Sequence, residues 1–271
     1  MKKHILFAIT GICYLPLSSP AIDLKQAKFT QVVNRVGVIS SSDKSFHNAA
    51  VNDTFKMPDM VSTGKDSRAE LIAADGTVTR VGANTIFSYD TANRTIDLQQ
   101  GSLLFHSPHG MGGGSIHTSS ATAAVVGTTI IVTATPDGGF KVLDLEGETE
   151  IHFLNGLQQT LEPGQMTIVM PGGTQHSPIL IFRLDSAVKG SLLVNGFDQP
   201  LPSIGKIDAE ITRQLEQILN NEVGDADLQI NGALPGQTQV LDFEELNARL
   251  NHQQHVIPID GNPGNHISSL R

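Results

Sequence analysis

From about residue 29 to residue 183 the chain is a succession of short apolar or β-branched runs, most of them closed by a turn that contains glycine. The runs include Phe29–Val33, Val36–Ser40, Arg68–Ile72, Thr77–Val81, Thr85–Tyr89, Thr95–Leu98 and Leu103–His106, then Ser115–Ser119, Thr129–Thr133, Phe140–Leu145, Thr149–Phe153, Gln159–Leu161, Met166–Met170 and Ile179–Phe182. Between them lie Asp75-Gly76, Gly82-Ala83-Asn84, Gly101, Gly127, Asp137-Gly138-Gly139, Glu146-Gly147, Asn155-Gly156, Pro163-Gly164 and Pro171-Gly172-Gly173. Glycine accepts a positive φ, and Asp or Asn before it favours a tight turn, so each break has a physical cause. Strands repeating every 8–12 residues or so predict an all-β sandwich, barrel or solenoid. No long helical period interrupts them, which argues against a βαβ fold. The stretch from Ile116 to Thr135 is made almost wholly of small or β-branched residues. Small side chains let backbone layers stack closely, so a solenoid-like or curled antiparallel β domain is expected, with this stretch at its centre and a corner of the chain at Gly127.

The texture changes after residue 184. Apolar residues at 207, 211, 215, 218 and 219 form a helical stripe over Ile207–Leu219, preceded by Pro202 and Ser203 and followed by Gly224. A second short helix is expected over Phe243–Leu250, with Asp242 as its N-cap. From Pro258 the chain is rich in Pro, Gly, Asn and Ser and is expected to be disordered. The organisation read from the sequence is a β domain over 27–183, a helix-containing region over 184–257 and a tail over 258–271. Whether the helices pack on the β domain or form a separate lobe stays open at this level.

Residues 1–21 have the three parts of a secretory signal: Lys2 and Lys3, an apolar run from Ile5 to Leu17, and small residues at Ser19 and Ala21. The run is short for a span, which takes roughly 20 apolar residues. Cleavage after Ala21 is expected, with an uncleaved anchor as the alternative. Cleavage removes Cys13, the single cysteine, and with it any disulfide, cysteine nucleophile or thiolate-bound metal. It also takes the formal charge from −9 to −11, since Lys2 and Lys3 go with it. An acidic chain without a basic stripe excludes nucleic acid as a natural ligand. Tryptophan is absent and Tyr89 is the one tyrosine beyond the signal, which counts against an aromatic sugar platform. Contact with a membrane is expected only through the N-terminal segment, if it stays uncleaved.

No motif in the sequence assembles a catalytic or cofactor site. Gly110, Gly112, Gly113 and Gly114 are followed by a Thr-rich β segment and not by the helix a dinucleotide loop requires. His106, His109 and His117 flank that loop and His252 and His255 lie three apart, but neither spacing is a metal signature, and all read as surface histidines. Asp75, Asp137, Asp144, Glu146 and Glu148 fall at or near turns and do not pair as an acid and a base would. The expectation is therefore no catalytic residue, no metal ligand and no cofactor.

The segments Asp59–Gly64, Asp66–Leu71, Asp75–Gly82, Leu98–Gly101, Thr122–Thr129, Leu145–Glu148 and Leu161–Gln165, taken in order and spacing, resemble the FecR domain. The resemblance spans about 110 residues. It implies an exported, non-catalytic β domain of the bacterial cell envelope that binds a protein partner. The family's regulators place a cytoplasmic anti-sigma segment and a membrane helix before this domain and often a βαβ lobe after it. Here a short signal precedes it and residues 184–260 lack a clear βαβ pattern. The resemblance thus carries fold and compartment further than it carries a sigma-factor circuit. The leading reading is an interaction or scaffolding module. An envelope-signalling regulator held by an uncleaved anchor is the alternative, and a polysaccharide-binding protein or an enzyme is a second one.

Overall fold

A computed structural model describes residues 26–230, apart from 57, 91–93 and 174. The expected signal segment, the second helix over 243–250, His252, His255 and the tail from 258 lie outside these residues. In chain order the elements are β1 (Gln26–Val33), β2 (Val36–Ile39), β3 (Phe46–Asn48), β4 (Thr54–Lys56), β5 (Met60–Thr63), β6 (Arg68–Ala73), β7 (Val78–Val81), β8 (Ile86–Asp90) and β9 (Thr95–His106). They continue with β10 (Gly114–His117), β11 (Ala121–Val125), β12 (Thr129–Ala134), β13 (Phe140–Glu146), β14 (Thr149–Phe153), β15 (Gln158–Leu161), β16 (Gln165–Val169) and β17 (Leu180–Phe182). The helices α1 (Leu184–Gly190), α2 (Leu192–Asn195) and α3 (Ile204–Leu219) follow, and then β18 (Leu228–Ile230).

The strands form two layers. The first has the order β4-β1-β6-β7-β9-β12-β13-β16-β17-β18, antiparallel throughout. The second has the order β3-β2-β5-β8-β9-β10-β11-β14-β15, with β9 and β10 parallel and the rest antiparallel. From β10 onward the chain lays one hairpin in the second layer and the next in the first, each beside its predecessor. This alternation produces the curled, solenoid-like architecture that the turn spacing predicts, and the sheet does not close on itself. The small-residue stretch supplies β10, β11 and β12 in the middle of both layers. Between the layers the core holds Ala121, Ala123, Val125, Ile130 and Val132 together with aromatic rings. Phe55, Phe87 and Tyr89 pack with centroids 5.4–6.3 Å apart.

Gly101 departs from the sequence reading. It is not a turn. The runs on either side of it are a single strand, β9, whose first half pairs with β8 and β10 and whose second half pairs with β7 and β12. The chain crosses from one layer to the other at this point, with φ +93° at Gly101, and a Cβ there would lie 2.3 Å from Thr85 Oγ1. A bend of this kind has the same local signature as a turn, because both need a positive φ.

Gly127 is the corner expected of it, between β11 in the second layer and β12 in the first. Its φ is +69°, and a Cβ would come 2.4 Å from Nδ1 of His109. The neighbour is thus a side chain from the 107–113 loop and not another sheet layer. Gly127→Val is expected to cost about 2 kcal/mol, from a β-branched residue forced into the left-handed region and from the displaced imidazole. A urea midpoint equal to that of the parent would contradict this.

The helices settle the question left open by the sequence: they pack on the outer face of the first layer. Val78, Leu104, Ile131, Leu143, Leu145, Met166 and Ile168 form a second core with Leu184, Val188, Leu193, Val194, Leu201 and Ile207. The middle of the first layer is therefore buried on both sides: β12 and β13 show no exposed residue. The second layer keeps its outer face in solvent, as the alternating burial of β11 and β14 records. The helical stripe is α3, with Ile207 buried and Ile204 and Ile211 packed against the same core. The short helices α1 and α2 have no comparable period and are not legible in the sequence.

Candidate functional site

The polar residues of the first layer gather where the helical segment meets it. Arg80, at the centre of β7, is completely buried. Its Nε donates to Glu70 Oε2 on the neighbouring β6 at 2.8 Å. Its Nη1 donates to the carbonyl of Val194 at 2.7 Å, and its Nη2 donates to the carbonyl of Gln199. The guanidinium also lies 4.5 Å from the centroid of the Phe197 ring. Glu70 accepts a further bond from Thr30 Oγ1 on β1 at 2.7 Å. One strand over, Arg68 donates to the carbonyl of Gly196 and approaches the other side of the site over the same ring. Two arginines thus hold the strap between α2 and α3 by its backbone oxygens, which no helix or sheet would otherwise satisfy. Burial pulls the Arg80 guanidinium down from its ordinary value, and Glu70 opposes that pull. A guanidinium bonded to a carboxylate and two backbone carbonyls stays charged.

A second polar group ties α3 to the sheet. Thr129 Oγ1 lies 3.1 Å from Glu146 Oε2, 2.8 Å from Ser203 Oγ and 2.9 Å from His106 Nδ1. The Thr129 hydroxyl has one proton, for which Glu146 and Ser203 are the two acceptors, and His106 Nδ1 is the third neighbour of the same oxygen. Lys206 from α3 donates to Glu146 Oε1 at 2.9 Å. Ser203, Thr129 and His106 are all buried, so this grouping of a serine, a histidine and a carboxylate is closed off from solvent.

The structure corrects the reading of several candidates. His106 is not a surface histidine; its strand position turns it under α3, and burial lowers its pKa. His109 is exposed, 3.8 Å from Glu146, and His117 sits on the opposite layer beside Asp97, so the three histidines do not meet. Asp144 is not at a turn. It lies in β13, its side chain fully buried, with Oδ2 accepting from Thr149 at 2.6 Å. Asp75 is also buried, held by Arg94 at 2.8 Å and by the Thr77 amide. The glycines from 110 to 114 bridge β9 and β10. Among the described residues, no three His, Cys, Asp or Glu side chains are gathered so as to hold a metal ion. The residues the sequence reading passed over are Arg68, Glu70 and Arg80. A charged residue at the centre of an otherwise apolar β run, as in Val78-Thr79-Arg80-Val81, was the signal that could have found them.

The sequence over residues 59–150 matches the FecR protein family. This stretch contains Arg68, Glu70, Arg80, Thr129 and Glu146. No curated protein matches the chain. Among solved structures, the chain is similar to two crystal structures, each of a "putative anti-sigma factor" from Parabacteroides distasonis ATCC 8503. One, at 2.50 Å resolution, shares 21% identity over 44% of this chain, with a TM-score of 0.40, and the match spans 57% of the relative's own length. The other, at 1.65 Å, shares 16% identity over 72% of this chain and 91% of its own, with a TM-score of 0.43.

Proposed function

With a FecR domain carried on residues 59–150, we propose that this chain is an exported, non-catalytic protein-interaction module that acts as a regulator of envelope signalling. The observation that supports this most directly is how the polar residues of the matched stretch are employed. Arg80, Glu70, Thr129 and Glu146 are buried and bonded to the chain's own strap and helix. These four are committed to architecture rather than to acid–base or nucleophilic chemistry. Recognition then falls to the solvent-facing surface, which is the way a rigid β scaffold serves a binding module. The lysine-led apolar segment before residue 22 supports export.

The test is a comparison of transcripts from the native host, from a strain lacking the gene, and from that strain complemented with the wild-type gene. A small set of envelope-related transcripts should change and return on complementation. An unchanged profile would replace the regulator with a structural scaffold. The complementing protein should be recovered outside the cytoplasm with Ile22 as its first residue; a chain that starts at Met1 in the membrane fraction would make it an anchored regulator.

A further inference from the structure

The apolar stripe of α3 starts buried and ends exposed. Ile207 is fully buried, and Ile204 and Ile211 pack on the second core. Leu215 is 36% exposed, and Leu219, the last residue of the helix, is 80% exposed. These two leucines stand four residues apart and so share one flank of the helix, with Ile211 and Ile218 half-buried beside them. The flank is an apolar strip that the sheet beneath α3 does not cover.

The chain leaves the β domain close to this strip. Gln214 on α3 accepts from the amide of Leu184 at 2.9 Å and donates to the carbonyl of Phe182 at 2.8 Å. Phe182 pairs with Leu228 of β18, so Leu215 follows a residue bonded to the strand next to β18. After β18 comes Asn231-Gly232, the dipeptide that two-residue strand reversals favour, which directs the chain back toward Leu228. Residues 233–242 can then span up to roughly 35 Å. Beyond them, the sequence carries the signals of a helix start. Asp242 is an N-cap with Glu245 three residues on, as in a capping box, and Leu241 and Leu246 are placed as a hydrophobic staple. Phe243, Leu246 and Leu250, at i, i+3 and i+7, fall on one helical face, with Glu244, Glu245 and Arg249 off it. A helix over Phe243–Leu250 is shorter than the roughly 12–15 residues an isolated helix needs in water, so it forms only by packing that face.

We propose that the exposed flank of α3 is the docking site of this chain's own residues 243–250, which fold back as a short helix with Phe243, Leu246 and Leu250 against Leu215 and Leu219. The size of the strip selects the occupant. Two leucines are far less than the roughly 800 Å² per partner that a stable interface between separate proteins buries. A segment tethered by a short linker meets the strip at an effective concentration on the order of 1 mM, so a small apolar contact is enough to hold it. The other exposed leucines fit less well: Leu154 and Leu157 stand at the tip of the β14–β15 hairpin, and Leu192 is alone on α2. The docked helix would extend the helical cover of the first layer toward β18. It is independent of the signalling reading, since either could hold without the other.

Hydrogen–deuterium exchange of the full chain, read by mass spectrometry, tests this. Amides in 243–250 should exchange at least ~10-fold more slowly than those of the tail from 258, after correction for local sequence. The double variant Leu215→Glu, Leu219→Glu should abolish that protection, and Leu246→Glu should abolish it from the other side. Neither change touches a buried residue of the β domain, and unaltered protection of β12 shows that the fold is intact in each variant. Residues 243–250 that exchange as fast as the tail would overturn the proposal, as would protection that survives the changes on α3. Protection that falls on dilution would overturn it too, making a second copy of the chain the occupant.

Discussion

Glu70→Leu is expected to destabilise the protein by about 3–5 kcal/mol, the effect of removing one member of a buried ion pair. The leucine fills similar space, so a cavity contributes little. The loss comes from Arg80, which is wholly buried and would keep its charge with only carbonyl oxygens and the Phe197 ring as partners. Thr30 would also lose the shorter of its two bonds to residue 70 and keep only the longer one to the backbone carbonyl. The double variant Glu70→Leu, Arg80→Met should recover part of the loss, because an ion pair replaced as a whole by apolar residues of like volume is often close to neutral. It should not recover all of it, since the carbonyls of Val194 and Gln199 are then left without a donor. Urea unfolding of the three proteins measures both quantities. A single variant within about 1 kcal/mol of the parent would show that the strap between α2 and α3 is not held by this pair.

Asp144→Asn is expected to remove a pH dependence that runs opposite to ordinary acid denaturation. Burial pushes the Asp144 carboxyl from about 3.8 up to about 7; the Thr149 hydroxyl pulls the other way, and the charges of Glu146 and Glu210 add to the rise. Its Oδ1 has no hydrogen-bond partner among the described residues. Because the folded value is above the unfolded one, the folded protein holds the proton more tightly. The contribution of Asp144 is fully present below about pH 4 and is lost as pH rises to about 7. At about 1.4 kcal/mol per pKa unit, the loss across that window is ~4 kcal/mol at most. His106 acts in the other direction, because burial lowers its pKa and unfolding lets it take up a proton as the pH falls. The difference between parent and variant isolates Asp144. Urea midpoints of the parent should exceed the variant's by less, or fall below them, as pH goes from 5 to 8. A constant difference between the two proteins over that range would show that the carboxylate is ionised in the folded state throughout.

What was legible in the sequence was local. Turn chemistry at Asp75-Gly76, Asn155-Gly156 and Pro163-Gly164 and the period of two between them predict an all-β domain that curls, and the 3.6-residue stripe predicts α3. These signals rest on neighbours in the chain, so contiguous residues suffice to state them. The family match of residues 59–150 was legible for the same reason: its pieces are turns and strand starts at fixed spacing. What only the tertiary structure decided is which face each residue turns to and what arrives there from far along the chain. Gly101 reads as a turn and is a crossing between layers, because both demand a positive φ. His106 and Asp144 read as surface or turn residues and are buried, because α3 and the β13–β14 corner cover them. Arg80 meets its carbonyl acceptors more than 110 residues later, and His117 meets Asp97 only through the order of strands. Neither pairing leaves a trace in local sequence, since the free energy that fixes it comes from packing two layers and a helical cover together rather than from any one segment's own preference.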